Sequence, residues 1–191
     1  MVNTKFLTRL KQNYRDNESQ RRQINSASNN ILFEAKKTIF ALQRDDLKVA
    51  KIKLADMEKN LKDLEKRFGA ERLRREGPYR AAAEEYLEGK TFYLTITNKE
   101  ITAVTGLTLD YEAYLGGLCD LIGEMVRYAT NRAAAGKFNE IAKIKKTADD
   151  IMSQLVDFDL TGYLRTKYDQ ARGHLRKLEQ MTYEIKLRGK K

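Results

Sequence analysis

The chain has 191 residues, enough for one helical domain with its own core and short for two. Hydrophobic residues make up 41% and charged residues 34%, too apolar a mixture for a disordered chain. A net charge of +10 and a sequence pI near 9.6 call for an acidic partner, nucleic acid before anionic membrane.

One proline, Pro78, in the whole chain argues for long helices. No repeat or Gly/Ser linker divides the sequence, so a single domain over residues 1–191 is expected. Residues through about Gln20 are polar and basic and are expected to fray. Beyond them Ile24, Ser28, Ile31, Ala35, Thr38, Ile39 and Leu42 fall on one stripe of a helix. Asp45-Asp46 breaks that helix and caps the next. There Leu47, Ala50, Leu54, Met57, Leu61, Leu64 and Phe68 alternate spacings of three and four, a heptad that predicts lengthwise helix packing. Gly69 ends it, and Pro78 suits the first turn of the following helix.

That helix presents Tyr79, Ala82, Ala83, Tyr86 and Tyr93 on one face and Ala81, Glu85, Glu88 and Phe92 on another. Residues 95–109 are β-branched and polar and read as a loop. The next helix carries Leu115, Leu118, Leu121, Ile122, Met125 and Ala129 on an apolar face. Its opposite face reads Ala113, Gly116, Gly117, Asp120, Glu124, Arg127, Asn131. Paired glycines inside a helix cost about 1 kcal/mol each against alanine, a cost that makes sense where a backbone or ligand must come close. Ala135-Gly136 closes this helix. Phe138, Ile141, Lys145, Ala148, Met152 and Leu155 trace another, with Asp149-Asp150 balancing its lysines. Leu164, Tyr168, Ala171, Leu175, Leu178, Thr182 and Ile185 form a last heptad, ending near a C-cap at Gly189. The expected fold is all-α.

Cys119 is the one cysteine. It excludes an internal disulfide and a cysteine-based zinc site, fits a reducing, cytoplasmic interior, and reads as a packed thiol. No secretory leader or membrane-spanning run is evident, so no membrane association is expected. His174 is the one histidine, with no pattern around it that would orient a base, which argues against a Ser-His-Asp or Cys-His site. Glu85 and Glu88 lie one turn apart on one helix, as do Asp120 and Glu124 on another. If the two helices meet, their acids form one metal site. Oxygen-only ligation suits Mg²⁺, with Mn²⁺ as a substitute, and in a basic protein it points to phosphodiester cleavage.

Several stretches resemble the translin/TRAX family, and specifically its translin-associated factor X branch. The run Glu34-Ala35-Lys36-Lys37-Thr38-Ile39-Phe40-Ala41-Leu42-Gln43-Arg44 is similar to that branch's first-helix signature. Glu85-Tyr86-Leu87-Glu88 resembles its acid pair. Tyr114 to Arg127, YLGGLCDLIGEMVR, looks like its Y-L-x-G-x-x-D-L-x-G-E-L-x-R. Leu178, Glu179, Tyr183, Lys186, Arg188 and Gly189 resemble its tail, and the match runs from about residue 24 to 189. The resemblance implies an elongated bundle of about six or seven helices that assembles into a closed hollow oligomer, typically an octamer, around single-stranded nucleic acid. It implies an endoribonuclease with catalytic residues at Glu85, Glu88 and Asp120. The long insertion and basic head of eukaryotic members are lacking, which implies a compact, archaeal-type version.

The expectation is therefore an Mg²⁺-dependent endoribonuclease acting on single-stranded RNA, with single-stranded DNA or RNA–DNA hybrids as further ligands, inside a homo-octameric shell. Glu85, Glu88 and Asp120 would hold the metal, with Glu124 as a further ligand. Lys37, Arg80, Arg127, Arg165 and Arg188 would contact phosphate. The alternative is an oligomer that coats single-stranded RNA or DNA without cutting it; a purely structural coiled coil would have no use for the glycine pair.

If phosphate contacts dominate, the affinity for single-stranded RNA falls linearly with log salt, at a slope of about −0.7 per phosphate neutralised. Arg127→Ala flattens that slope. A salt-independent affinity, read by fluorescence anisotropy, contradicts the electrostatic reading.

Overall fold

The computed structural model describes residues 2–188, the side chain of Arg188 excepted. Among these residues there are seven α-helices and no strand: α1 Thr4–Leu42, α2 Leu47–Phe68, α3 Ala70–Arg74, α4 Gly77–Ile96, α5 Tyr111–Ala134, α6 Phe138–Leu155 and α7 Gly162–Arg188. A short 3₁₀ turn, Val156–Phe158, follows α6. No helix of the described residues is long and apolar enough to cross a membrane. Gly189, expected as a C-cap, lies outside the described residues.

The first helix corrects the expected fraying. It begins at Thr4, where the Asn3 side chain accepts a hydrogen bond from the Phe6 N–H at 3.1 Å. Residues 4–20 contain no glycine or proline, so a helix anchored by packing from Ile24 onward propagates outward at little cost. The stripe of Ile24, Ser28, Ile31, Ala35, Thr38, Ile39 and Leu42 is buried as its spacing predicts.

The caps also follow the sequence. Asp46 accepts from the Val49 N–H at 3.1 Å and starts α2. Asp45 adopts a left-handed conformation at φ 62°, and its carboxylate accepts from the Tyr128 hydroxyl at 2.7 Å, pinning the α1–α2 turn to α5. In α2 the heptad buries Ala50, Leu54, Met57, Leu61 and Leu64, while Leu47 at its start stays exposed. Pro78 sits in the first turn of α4, and Asp110 caps α5 through the Ala113 N–H at 2.9 Å.

Two apolar cores result. One joins α1, α2 and α4 around Ile31, Met57, Leu61 and Tyr86. The other joins the end of α1 to α5, α6 and α7 around Leu42, Ile122, Met125, Ala148 and Leu178. Helices α4 and α5 pack against each other where the cores meet. The sequence put Gly116 and Gly117 on a face away from the core; instead they are buried against α4, because α5 packs on both sides.

A side chain at Gly117 would have its Cβ 3.0 Å from Leu87 Cβ and 3.1 Å from the Glu84 carbonyl oxygen and the Glu88 nitrogen. Those are backbone and near-backbone atoms of α4, which cannot move aside singly. Gly117→Ala should therefore destabilise by about 1–3 kcal/mol. Gly173 in α7 has nothing within 4 Å of its Cβ position, so Gly173→Ala should stabilise by about 0.5–1 kcal/mol. Thermal denaturation of the two variants reads the opposite signs; equal effects would contradict the close helix approach.

Candidate functional site

Glu85 and Glu88 project from α4, and Asp120 and Glu124 from α5, each pair about one turn apart. The glycine contact at Gly117 brings these two turns together. All four acids line one cavity of about 470 Å³. Lys36 and Phe40 of α1, Arg127 of α5, and Gln170 and His174 of α7 are among the other residues that line it.

The four carboxyls are not equivalent. Glu88 is only 8% exposed. Burial first, and then the charges of Glu85, Asp120 and Glu124, push its pKa up to about 9. Burial and the neighbouring Asp120 likewise raise Glu85. Asp120 is also raised by burial, against the pull of Lys167, whose ammonium donates to the Asp120 carboxylate at 2.5 Å. The same ammonium lies 2.8 Å from Glu84, which also accepts from the Tyr163 hydroxyl at 2.6 Å. Burial alone would lower the Lys167 pKa, yet its bonds to Asp120 and Glu84 raise it overall, so it stands as a fixed cation. Glu124 accepts from the Gln43 amide at 2.6 Å and lies 3.5 Å from Arg127.

This donor set fits a hard divalent cation in its chemistry: carboxylate oxygens alone, crowded, with Glu88 short of positive charge. As the side chains stand, no three acids or histidines of the described residues gather around one point. Asp120 is turned to Lys167, so the four acids share a cavity rather than a finished coordination shell.

The expected phosphate contacts are dispersed. Arg127 lines the cavity. Lys37 lies on the outward face of α1, 2.8 Å from Glu34. Arg80 sits in a separate cleft with Glu84, Glu112 and Tyr163, and Arg165 pairs with Asp169 at 2.9 Å. The side chain of Arg188 lies outside the described residues. Cys119 is buried as expected, its pKa pushed up to about 12 mainly by burial, so it is no nucleophile.

Sequence reasoning missed Lys167, Gln170 and His174, and set His174 aside for lack of a partner. In α7 the three stand at i, i+3 and i+7, one polar stripe beside the apolar heptad. Gly123 leaves the room: a Cβ there would lie 3.4 Å from the His174 ring. That periodic polar stripe was the available signal.

A model of the Translin family matches residues 19–189. Among curated proteins, the chain is 29% identical to Translin of Gallus gallus over 110 residues, 54% of this chain and 48% of that protein. It is 28% identical to Translin of Homo sapiens over 118 residues, 57% of this chain and 50% of that one. The chain thus spans about half the length of the curated relatives it matches. Among solved structures it is similar to the crystal structure of apo-NeC3PO, with TM-score 0.80 and 24% identity over 96% of this chain and 97% of that one. It is also similar to the AfC3PO–duplex RNA complex, with TM-score 0.83 and 20% identity over 95% and 96%. These likenesses establish the fold as translin-like.

The Glu88 carboxyl makes stability pH-dependent. Unfolded, a glutamate titrates near about 4.3; folded, this one titrates at about 9. The stabilisation it contributes is full below the unfolded value and is lost as pH rises through the folded one, at up to about 1.4 kcal/mol per pH unit. In metal-free buffer the melting temperature should fall from pH 5 to pH 8, and Glu88→Gln should flatten that fall and raise the melting temperature at pH 8. An unchanged profile in the variant would contradict the assignment.

Proposed function

Because the chain belongs to the Translin family, we propose that it is a metal-dependent endoribonuclease that binds and cleaves single-stranded RNA within a homo-oligomer, of the translin-associated factor X type. The observation that carries the reading is the convergence of Glu85, Glu88, Asp120 and Glu124 on one cavity in a chain of net charge +10. Pure binding of a polyanion has no use for four acids at its centre. Similarity to a protein solved with duplex RNA supports an RNA ligand. Exposed Phe6, Leu7, Leu10 and Tyr14 on the free arm of α1 support self-association, with an octamer as the proposed state.

Glu85, Glu88 and Asp120 would hold Mg²⁺ or Mn²⁺, with Glu124 as a further ligand. When bound, such an ion neutralises charge at the scissile phosphate and lowers the pKa of its water. Arg127 and Lys36 flank the cavity and would orient the phosphate from either side. Gln43 fixes Glu124 by donating to its carboxylate. Lys167 holds the Asp120 carboxylate in place by donating to it.

A second reading, a Translin-like binder that does not cut, is favoured by one observation: Lys167 already pairs with Asp120. Amide variants separate the two. Glu88→Gln and Asp120→Asn should abolish cleavage of labelled RNA in Mg²⁺ while binding holds or tightens. Light scattering should give one oligomer, larger than a dimer, for the parent and both variants. Mg²⁺ at ten times its Kd should stabilise the parent by about 1.4 kcal/mol and the variants less. Asp63→Asn, on the exposed side of α2, should cut normally. Parent-rate cleavage by both amide variants, or no cleavage by the parent, would leave the binder.

A further inference from the structure

On α1 the face opposite the buried stripe carries two large exposed aromatics. Phe33 is 59% exposed and Phe40 48%. They stand seven residues apart, so both rings leave the same side of the helix, about 10 Å apart along its axis. Neither packs into a core. Each is attended by a cation: Lys37 Nζ lies 4.1 Å from the Phe33 ring centre, and the Arg44 guanidinium 3.9 Å from that of Phe40. Phe40 also lines the carboxylate cavity, beside Lys36.

We propose that Phe33 and Phe40 form a stacking platform for unpaired nucleobases, which leads a single strand along α1 into the carboxylate cavity. The proposal rests on the reading of that cavity as a nucleic-acid site. Three features support it. Exposed rings interleaved with Lys36, Lys37 and Arg44 offer a π-face for a base and a positive charge for the phosphate beside it. The two-turn spacing aligns the rings along one strand direction. Phe40 lines the same cavity as the acids, so a strand stacked on it would lead into that cavity. A second copy of the chain suits this face poorly, because a self-complementary contact would set the same three cations against their equivalents. Duplex RNA suits it poorly as well, since paired bases keep their faces within the stack. Stacking accepts any base, so the platform gives strand selectivity without sequence preference.

The test uses the full chain in EDTA, so that no cleavage occurs, with single-stranded RNA carrying 2-aminopurine at successive positions. Binding is read by anisotropy and stacking by fluorescence quenching. The parent should quench the probe at one or two positions. Phe40→Ala and Phe33→Ala should each weaken single-strand binding about 5- to 150-fold and relieve the quenching. Tyrosine at either position should restore both, and affinity for blunt duplex RNA should not change. Binding without quenching, or alanine variants with parental quenching and affinity, overturns the platform while leaving RNA binding intact. Loss of the parental oligomer in the alanine variants, seen by light scattering, overturns it in favour of a contact between copies. If the parent binds no RNA, the platform and the underlying reading fall together, an outcome distinct from the others.

Discussion

The site depends on the close approach of α4 and α5 at Gly117. With any larger residue there, the Glu84 carbonyl and Glu88 nitrogen could not lie where they do. The same approach lets the Glu84 side chain fill the space that Gly116 leaves. From that space Glu84 reaches Lys167 and Tyr163 on α7, and Lys167 in turn holds Asp120. Two glycines thus set the spacing of three helices. Their intrinsic cost to α5, about 1 kcal/mol each, is offset by the burial that the close contact allows.

Electrostatics then decides how the acids behave. Four carboxyls around one cavity repel, and burial penalises their charged forms. The fold answers this unevenly. Asp120 has Lys167; Glu124 has Gln43 and Arg127; Glu85 has the fields of Lys36 and Lys167, and Glu88 has little beyond that of Lys167. Burial and its acidic neighbours therefore keep Glu88 largely protonated at neutral pH. A carboxyl with a raised pKa holds its proton more tightly and must lose it to solvent before it can ligate, so any metal uptake here would be weaker at low pH.

Much of the fold was legible in the sequence because its signals are local or periodic. Asp46, Gly69 and Pro78 mark helix ends by their own chemistry, and the α2 and α7 heptads show which sides pack. The stretch Tyr114 to Arg127 held the glycine contact and two of the acids together. The extent of α1 was not legible, because Thr4 to Gln20 carry no buried partner to give them a pattern. The second buried face of α5 was hidden by its glycines, which register on no hydrophobic scale as core. Lys167 and His174 were missed for a different reason. Single polar residues beside a heptad reach a site or solvent according to how the helix rolls on its neighbour, and only tertiary packing fixes that. The same holds for Arg80 and Arg165, charged residues that the fold directs away from the cavity.

The central claim is that the acids of α4 and α5 form one divalent-cation site. Anomalous diffraction from crystals grown with Mn²⁺ tests it most directly. The account predicts one strong peak in the cavity between Glu88 and Asp120, with the Lys167 ammonium no longer bonded to Asp120. Crystals in saturating Mn²⁺ with no peak there, and with the Lys167–Asp120 pair intact, would contradict it.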